Sequence, residues 1–235
     1  MTALLHRLDQ AFLALLFPQD AQCLLCAAPS HGLTLCGDCA SRLEALALSG
    51  PCCPRCGRPL TEAPCTRCRP EDPVLTRSAL RHTGEAATLV HQLKFSALAA
   101  AAQPLANRMA ACCPSLSLPQ GCVLTWVPMP DQRRRQRGID HAECLAQALG
   151  QRLQLPVRPL LRRTGETHTQ RGLSGSERRQ NLAHAFEALS PVTAPVLLVD
   201  DVLTTGATLQ ACGAVLRQAG CPAIFGITAT QAMLS

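Results

Sequence analysis

Short runs of apolar residues alternate along the chain with longer segments in which apolar residues recur every three or four positions. The run 196–199 has no solvent-facing position, which is typical of a strand buried on both faces of a parallel sheet, and further strands are predicted at 123–127, 157–161 and 223–229. Weaker alternation predicts another strand at 75–82, and helical spacing is found at 84–94, 98–109, 139–153 and from 209 towards Gly220. This order predicts an α/β domain over residues 74–235, with a parallel sheet and helices on both faces.

The chain before this domain has a different pattern. Residues 1–18 predict an uncleaved amphipathic helix, with Leu4, Leu8, Phe12 and Leu15 on one face. Packing against the rest of the protein is the simplest role for that face, and contact with a membrane or a partner is the alternative. No apolar run has transmembrane length, so we expect no membrane-spanning segment and a cytoplasmic protein.

A long polar segment, residues 162–183, interrupts the α/β pattern. It has no apolar periodicity and carries several arginines, among them Arg178 and Arg179. Loops of this length in compact domains are usually functional or disordered. We therefore expect a lid that brings an arginine to a nearby site and excludes water when it closes.

Composition adds a second kind of domain. The 235 residues are 47% hydrophobic, enough for one α/β core, but 15 of them are cysteines. Eight cysteines form four Cys-x-x-Cys pairs, at Cys23 and Cys26, Cys36 and Cys39, Cys53 and Cys56, and Cys65 and Cys68. The turn-rich chain between the pairs contains too little apolar material to fold without a metal.

Two Cys-x-x-Cys turns supply the four thiolates of a closed tetrahedral zinc site. Residues 19–70 therefore predict a double zinc ribbon with two structural Zn²⁺ ions. Short loops favour pairing the first turn with the second and the third with the fourth, although the spacing also allows a crossed arrangement. A thioredoxin-like redox role is disfavoured because it needs one such turn between a strand and a helix. Cys52 is expected to be a spectator.

The most specific chemistry lies in the sequence VLLVDDVLTTGAT, residues 196–208. Asp200 and Asp201 follow the predicted strand, and a turn of small and hydroxyl residues then leads into a helix: Thr204, Thr205, Gly206, Ala207 and Thr208. Free backbone N–H groups at a helix start bind phosphate, and paired carboxylates accept hydrogen bonds from sugar hydroxyls. A sugar phosphate satisfies both. An ordinary strand–helix turn is the alternative, whereas a P-loop is excluded because the only lysine, Lys94, follows Leu93.

Basic residues cluster although the formal net charge is only +6. Arg133, Arg135 and Arg137 are predicted on a loop at the carboxyl end of the strand 123–127, where open α/β sheets bind ligands. Their forked donors suit a pyrophosphate, and a solvated basic loop is the alternative. Lys94, at a predicted helix end, either contacts phosphate or base or interacts with the helix C-terminus.

The run 196–208 resembles the phosphoribosyl-pyrophosphate (PRPP) motif of type I phosphoribosyltransferases. The order of all these pieces, including HQLKF at 91–95, resembles the ComF family, competence-associated proteins that join a double zinc ribbon to a phosphoribosyltransferase-type domain. At residues 137–141 the chain has RGIDH where that family usually has RGFNQ.

The resemblance implies binding of PRPP with Mg²⁺, transfer of the phosphoribosyl group and a role in DNA uptake. Asp200, Asp201, Arg137 and Arg178 are then the expected catalytic residues. Substrate binding would involve the two aspartates with Thr204, Thr205, Gly206, Ala207, Thr208, Arg133, Arg135, Arg137 and Lys94.

A different class of function is also compatible with the sequence. The zinc ribbon and the arginine-rich segment could bind single-stranded DNA or DNA-uptake proteins without catalysis, with the nucleotide-like pocket serving regulation. Such binding should weaken steeply with salt. The ribbon has arginines but no Trp or Tyr to stack on bases.

Overall fold

The computed structural model describes residues 22–30, 32–60, 65, 68–69, 71–164 and 185–233. The amphipathic helix predicted at 1–18 and most of the predicted lid, including Arg178 and Arg179, lie outside these residues. Within the described ranges, no helix combines the length and apolarity needed to cross a membrane.

A four-stranded parallel sheet forms the centre of the α/β domain, as predicted. Its strands are β1 (Val74–Arg81), β2 (Val123–Trp126), β5 (Val196–Leu203) and β6 (Ile224–Gln231), in the order β1-β6-β5-β2. All three neighbouring pairs are parallel. The last strand of the sequence therefore lies inside the sheet, where all eight of its residues are buried.

The strand predicted at 157–161 forms differently. Only Val157 makes a parallel bridge, to Leu124 of β2. Pro159 has no N–H to continue the ladder, so the chain leaves the sheet there. It then forms β3 (Leu161–Arg163), which pairs antiparallel with β4 (Phe186–Ala188) in a separate two-stranded sheet.

Helices cover both faces of the main sheet. They are α1 (Gly37–Glu44), α2 (Gly84–Phe95), α3 (Ala102–Cys112), α4 (Asp131–Arg137), α5 (His141–Leu153) and α6 (Ala207–Gln218), with 3₁₀ turns at Ala99–Ala101 and Cys113–Leu116. Successive residues of β5 alternate between two cores. Leu197 and Val199 pack with α2, α3 and α5, whereas Val196 and Leu198 pack with α6, β3 and β4.

The arginine-rich segment was predicted as a loop, and that prediction is wrong, because residues 131–137 form α4. None of its residues is buried, so no apolar periodicity marked the helix. Gly138 was predicted to open the next helix, but it ends α4 in the left-handed conformation, with φ +76°. The next helix, α5, begins at His141, and Asp140 caps it by accepting hydrogen bonds from the N–H groups of Ala142 and Glu143.

The first zinc knuckle, formed by the first two Cys-x-x-Cys pairs, shares the core of the α/β domain. Cys23, Cys39 and Leu43 are at most 3% exposed and belong to the same buried cluster as α2, α3 and α5. Gln92 of α2 donates a hydrogen bond to the Leu24 carbonyl, 2.7 Å away, and Arg42 pairs with Glu85 at 2.5 Å. This knuckle is therefore an integral part of the fold.

The second zinc knuckle, formed by the other two pairs, lies along the outer edge of β1. The Thr76 N–H donates to the Arg55 carbonyl at 2.7 Å, and the Arg77 guanidinium donates to the Pro54 carbonyl at 3.1 Å. Gly57, with φ +67°, approaches β1 so closely that a Cβ there would lie 2.8 Å from the Thr76 carbonyl oxygen. The knuckle thus covers a strand edge that would otherwise be open.

Candidate functional site

Two sets of four cysteines are brought together with all sulfur atoms of a set within 4.8 Å of one another: Cys23, Cys26, Cys36 and Cys39, and Cys53, Cys56, Cys65 and Cys68. The first pair joins the second and the third joins the fourth, as the short loops favoured. Sulfur–sulfur distances of 3.6 to 3.8 Å match the edge of about 3.8 Å expected for a tetrahedron with Zn–S bonds of about 2.3 Å.

The chemistry of the donor sets also fits structural Zn²⁺. Burial raises the pKa of the Cys39 thiol well above its usual value, so a bound cation is needed to hold four thiolates together. Four protein sulfurs leave no open position for water, which excludes zinc catalysis at either site. Cys52 is exposed and belongs to neither set.

A second group of functional side chains meets at the carboxyl edge of the parallel sheet. It contains Asp200 and Asp201 of β5, His82 after β1, Lys94 near the end of α2 and His141 at the start of α5. Parallel strands place their carboxyl ends at one edge, which is where open α/β sheets bind ligands. The aspartates and Lys94 were predicted together as substrate-binding residues, and the two histidines join them here.

The acid pair lies within β5, whereas the sequence predicted that the strand would end before it. Pairing with β6 continues past the apolar run, with Asp200 opposite Thr228 and Val202 opposite Thr230. The two side chains leave the strand on opposite faces, yet their carboxylates and the His141 ring lie within 4.8 Å of one another.

Asp201 holds two basic side chains. Its Oδ2 is 2.8 Å from Lys94 Nζ and 2.9 Å from His141 Nε2. The residue is 4% exposed. Burial opposes ionisation, but His141 and Lys94 together hold the pKa of Asp201 below its usual value. Asp201 is thus an ionised anchor for Lys94. Neither sequence interpretation of Lys94 had included this ion pair.

Asp200 differs from Asp201 in the direction of its pKa shift. Burial and the neighbouring charge of Asp201 raise the pKa of Asp200 to about 7. Its Oδ1 accepts a hydrogen bond of 2.9 Å from the Asp201 N–H. A carboxyl group that is only partly ionised at neutral pH can accept or donate a hydrogen bond.

Substitution Asp200→Asn is expected to stabilise the protein at pH 8 more than at pH 5. A carboxyl whose folded pKa is raised to about 7 contributes stability at low pH and loses it as pH rises through about 4 to 7. Because Asp200 is half-buried, we expect a relative gain of about 1–3 kcal/mol for the variant between these pH values. Thermal denaturation of the zinc-loaded wild type and variant at pH 5 and pH 8 measures this difference in stability. Asp38→Asn, an exposed change in α1, should show no such pH dependence.

Arginines of α4 and β3 add positive charge at this edge of the sheet. Burial and the charge of Arg133 lower the pKa of Arg163, and the charge of Asp200 opposes this shift. Arg163 lies over the Phe186 ring at 5.1 Å, and Arg137 lies over the Phe95 ring at 4.9 Å. With Lys94, these cations outnumber the two aspartates. The edge therefore favours an anion.

Arg135 is exposed on α4, and Arg134 pairs instead with Glu143 at 3.1 Å. The structure thus brings Lys94 to the acid pair and Arg137 to the ring of Phe95, the residue after Lys94. Sequence reasoning missed His82 and Arg163 as members of the group. The sequence offered only the position of each residue as a signal. His82 directly follows β1, and Arg163 is the last residue of β3.

The turn between β5 and α6 has the predicted anion-binding features. Thr204 and Thr205 are exposed, and Gly206 adopts the left-handed conformation, φ +83°, as N-cap of α6. Thr205 Oγ1 accepts a hydrogen bond from the Ala207 N–H at 3.3 Å. The N–H groups of the first helical turn have no partners inside the helix, so they can bind a phosphate oxygen.

Comparison with known proteins assigns both parts of the chain. The double zinc ribbon domain family matches residues 12–69. Competence protein F of Haemophilus influenzae is 42% identical over 110 residues, covering 45% of this chain and 47% of that protein, so this match spans about half of its length.

The DNA utilization protein YhgH is similar over more of the chain. The Escherichia coli K12 protein is 32% identical over 182 residues, covering 72% of this chain and 79% of YhgH. The Salmonella typhi protein is 32% identical over 208 residues, covering 84% and 91%.

Solved structures give weaker matches. The glutamine PRPP amidotransferase of B. subtilis, in complex with ADP and GMP, aligns with 17% identity and a TM-score of 0.38 over 55% of this chain and 26% of that one. An allosteric regulatory enzyme of purine biosynthesis aligns with 22% identity and a TM-score of 0.34 over the same shares. These TM-scores are too low to support an inference about function, whereas the similarity to YhgH extends over most of both chains. The chain therefore belongs to the ComF family, to which competence protein F and the DNA utilization protein YhgH also belong.

Proposed function

We propose that the carboxyl edge of the sheet binds PRPP and transfers its phosphoribosyl group to an acceptor. The main support is the meeting of three features at one edge: an acid pair, a hydroxyl-rich helix start, and cations from three other elements. Each matches one part of PRPP, namely the ribose hydroxyls, the 5′-phosphate and the pyrophosphate.

The acid pair would hold the ribose. Both basic partners of Asp201 form their ion pairs with its Oδ2, and none of the ion pairs within the described residues is made by its Oδ1. That oxygen and the carboxyl of Asp200 can accept hydrogen bonds from the 2′- and 3′-hydroxyls. The 5′-phosphate would lie on the turn that runs from Thr204 to Thr208.

The leaving pyrophosphate would be stabilised by Arg133, Arg137 and Lys94, with Arg135 at the exposed rim and Arg178 supplied from the predicted lid. As the bond between ribose C1 and the pyrophosphate oxygen breaks, its electron pair leaves with the pyrophosphate. An acceptor nitrogen then donates its lone pair to C1. The protein contributes to catalysis by placing the reactants and by stabilising the developing charges electrostatically.

The donor set fits Mg²⁺ only together with substrate. Mg²⁺ is usually held by one or two carboxylates plus substrate phosphates and water. Here Lys94 and His141 lie against Oδ2 of Asp201, so the carboxyl of Asp200 and Oδ1 of Asp201 would be the oxygens that could hold a metal. When bound, Mg²⁺ would neutralise negative charge on the pyrophosphate.

Released pyrophosphate tests this function directly. The pure protein would be incubated with PRPP, Mg²⁺ and a panel of nucleobases and amines, and pyrophosphate would be assayed over time. We expect acceptor-dependent release. If PRPP binds but no acceptor causes release, the transferase role is wrong, and if PRPP does not bind, the site assignment is wrong.

One observation favours nucleic-acid binding as a second candidate. Phe95 is 62% exposed, with the His91 ring 4.7 Å away and Arg137 over its face, next to the exposed basic helix α4. An aromatic platform beside basic residues suits single-stranded nucleic acid. The names of the relatives, competence protein and DNA utilization protein, agree with a role in DNA handling.

Phe95→Ala is expected to weaken binding of a single-stranded oligonucleotide about tenfold, since base stacking on an aromatic is worth about 1–3 kcal/mol. Fluorescence anisotropy at two salt concentrations measures the affinity and its salt dependence. Leu33→Ala is the matched control, because Leu33 is equally exposed, at 66%, but lies on the ribbon. Equal affinities of Phe95→Ala and the control would eliminate this candidate.

A further inference from the structure

The second zinc knuckle contacts the phosphate-binding turn through one residue. Arg58, two positions after the zinc ligand Cys56, donates a hydrogen bond from Nη2 to the Thr204 carbonyl. The two residues are 146 positions apart in sequence. No feature of either segment predicted that a zinc ribbon would touch the candidate ligand site.

This contact determines the orientation of one peptide group of the turn. In a trans peptide the C=O and the following N–H point in opposite directions, because the group is planar. When Arg58 holds the Thr204 carbonyl on the ribbon side, the Thr205 N–H is directed to the other side. The neighbouring Gly206 is conformationally permissive, so the turn needs an external contact to keep one orientation.

Arg58 itself is held by the metal site and by β1. The Cys53 N–H donates to the Arg58 carbonyl at 2.8 Å, within the turn that presents two sulfurs to the ion. Gly57 is in close contact with the backbone of β1. A cavity of only about 30 Å³ separates the knuckle from the turn, and it is lined by Cys56 and Cys68 on one side and by Thr205 and Gly206 on the other.

We propose that Arg58 is a positioning residue that links the second zinc site to the phosphate-binding turn. The zinc-bound knuckle places the guanidinium, the guanidinium fixes the Thr204 carbonyl, and the turn is thereby held in its anion-binding form. The expected consequence is tighter binding of the 5′-phosphate of PRPP, and this part of the inference rests on the proposed function. Loss of metal from the second site would release the turn even though no zinc ligand touches the substrate.

Hydrogen–deuterium exchange of the ligand-free, zinc-loaded protein tests the contact itself. Arg58→Met removes the donors, and we expect amide exchange in residues 203–208 to become about tenfold faster or more. Gly57→Ala should have the same effect, because its Cβ would push the knuckle away from β1. Arg42→Met is the matched control, since Arg42 belongs to the other knuckle, where it pairs with Glu85 and donates to Cys39 Sγ at 3.0 Å.

Calorimetric titration with PRPP and Mg²⁺ tests the consequence. Arg58→Met should weaken binding about tenfold, Arg58→Lys should restore part of the loss, and Arg42→Met should bind as the wild type does. Zinc content must remain two ions per chain. Unchanged exchange at 203–208 in both Arg58→Met and Gly57→Ala would overturn the inference, whether or not PRPP binds. Failure of the wild type to bind PRPP would instead overturn the proposed function.

Discussion

Asp200→Asn and Asp201→Asn are each expected to weaken PRPP binding by about 10- to 100-fold, and the double substitution should abolish it. Each change removes an ionisable acceptor for a ribose hydroxyl, and a hydrogen bond to a charged group contributes about 1.5–3 kcal/mol. Asp201→Asn also weakens the anchor of Lys94, which lies 2.8 Å from the carboxylate. Isothermal titration calorimetry with PRPP and Mg²⁺ measures the affinities.

The single substitution of Asp200 is the cleaner test, because among the described residues the ion pairs with Lys94 and His141 are made by Asp201 and not by Asp200. Asp38→Asn, which makes the same charge change on the exposed surface of α1, should bind PRPP normally. Unaltered affinity in the double variant, with a normal melting profile, would show that the acid pair does not hold the ligand.

Cys39→Ser is expected to destabilise the whole protein, including the α/β domain. Cys39 is fully buried in the core that also contains α2, α3 and α5. A structural zinc site supplies about 10–16 kcal/mol, which is comparable to the entire stability of a typical domain, about 5–15 kcal/mol. We therefore expect the melting temperature to fall by more than about 15 °C, or folding to fail at 37 °C. Circular dichroism measures the melting temperature, and zinc analysis measures the number of bound ions.

Cys52→Ser is the control for this experiment. Cys52 is exposed, lies next to the ligand Cys53 and belongs to neither set of four sulfurs. The variant should keep two zinc ions and a wild-type melting temperature. If Cys39→Ser melted like the wild type while carrying a single zinc ion, the first knuckle would be a separate appendage and not part of the core.

Predictions from the sequence were most accurate where local chemistry determines the structure. The buried strands β2, β5 and β6 were recognised because continuous apolar runs in an α/β chain are typical of strands that are buried on both faces of the sheet. The zinc pairing agrees with the arrangement that the short loops between successive Cys-x-x-Cys pairs favoured over the crossed one. The hydroxyl-rich turn was found because its residue types suit few purposes other than a helix start that binds an anion.

Predictions failed where tertiary contacts decide the local structure. Helix α4 has no buried residue to reveal its period, so its arginines suggested a loop. Strand β5 continues through Asp200 and Asp201 because pairing with β6 outweighs the polar side chains. The run at 157–161 left the main sheet at Pro159, which can form no ladder hydrogen bond.

The family, the two zinc sites, the parallel α/β architecture and the segment that carries the acid pair could all be read from the amino-acid sequence, since each depends on residue types at short spacing. Three contacts became visible in the folded chain alone: Lys94 and His141 share the Asp201 carboxylate, Arg137 lies over Phe95, and Arg58 holds the Thr204 carbonyl. These contacts join elements far apart along the chain. Their geometry depends on how the sheet edge, the helices and the ribbon pack together, which no local pattern records.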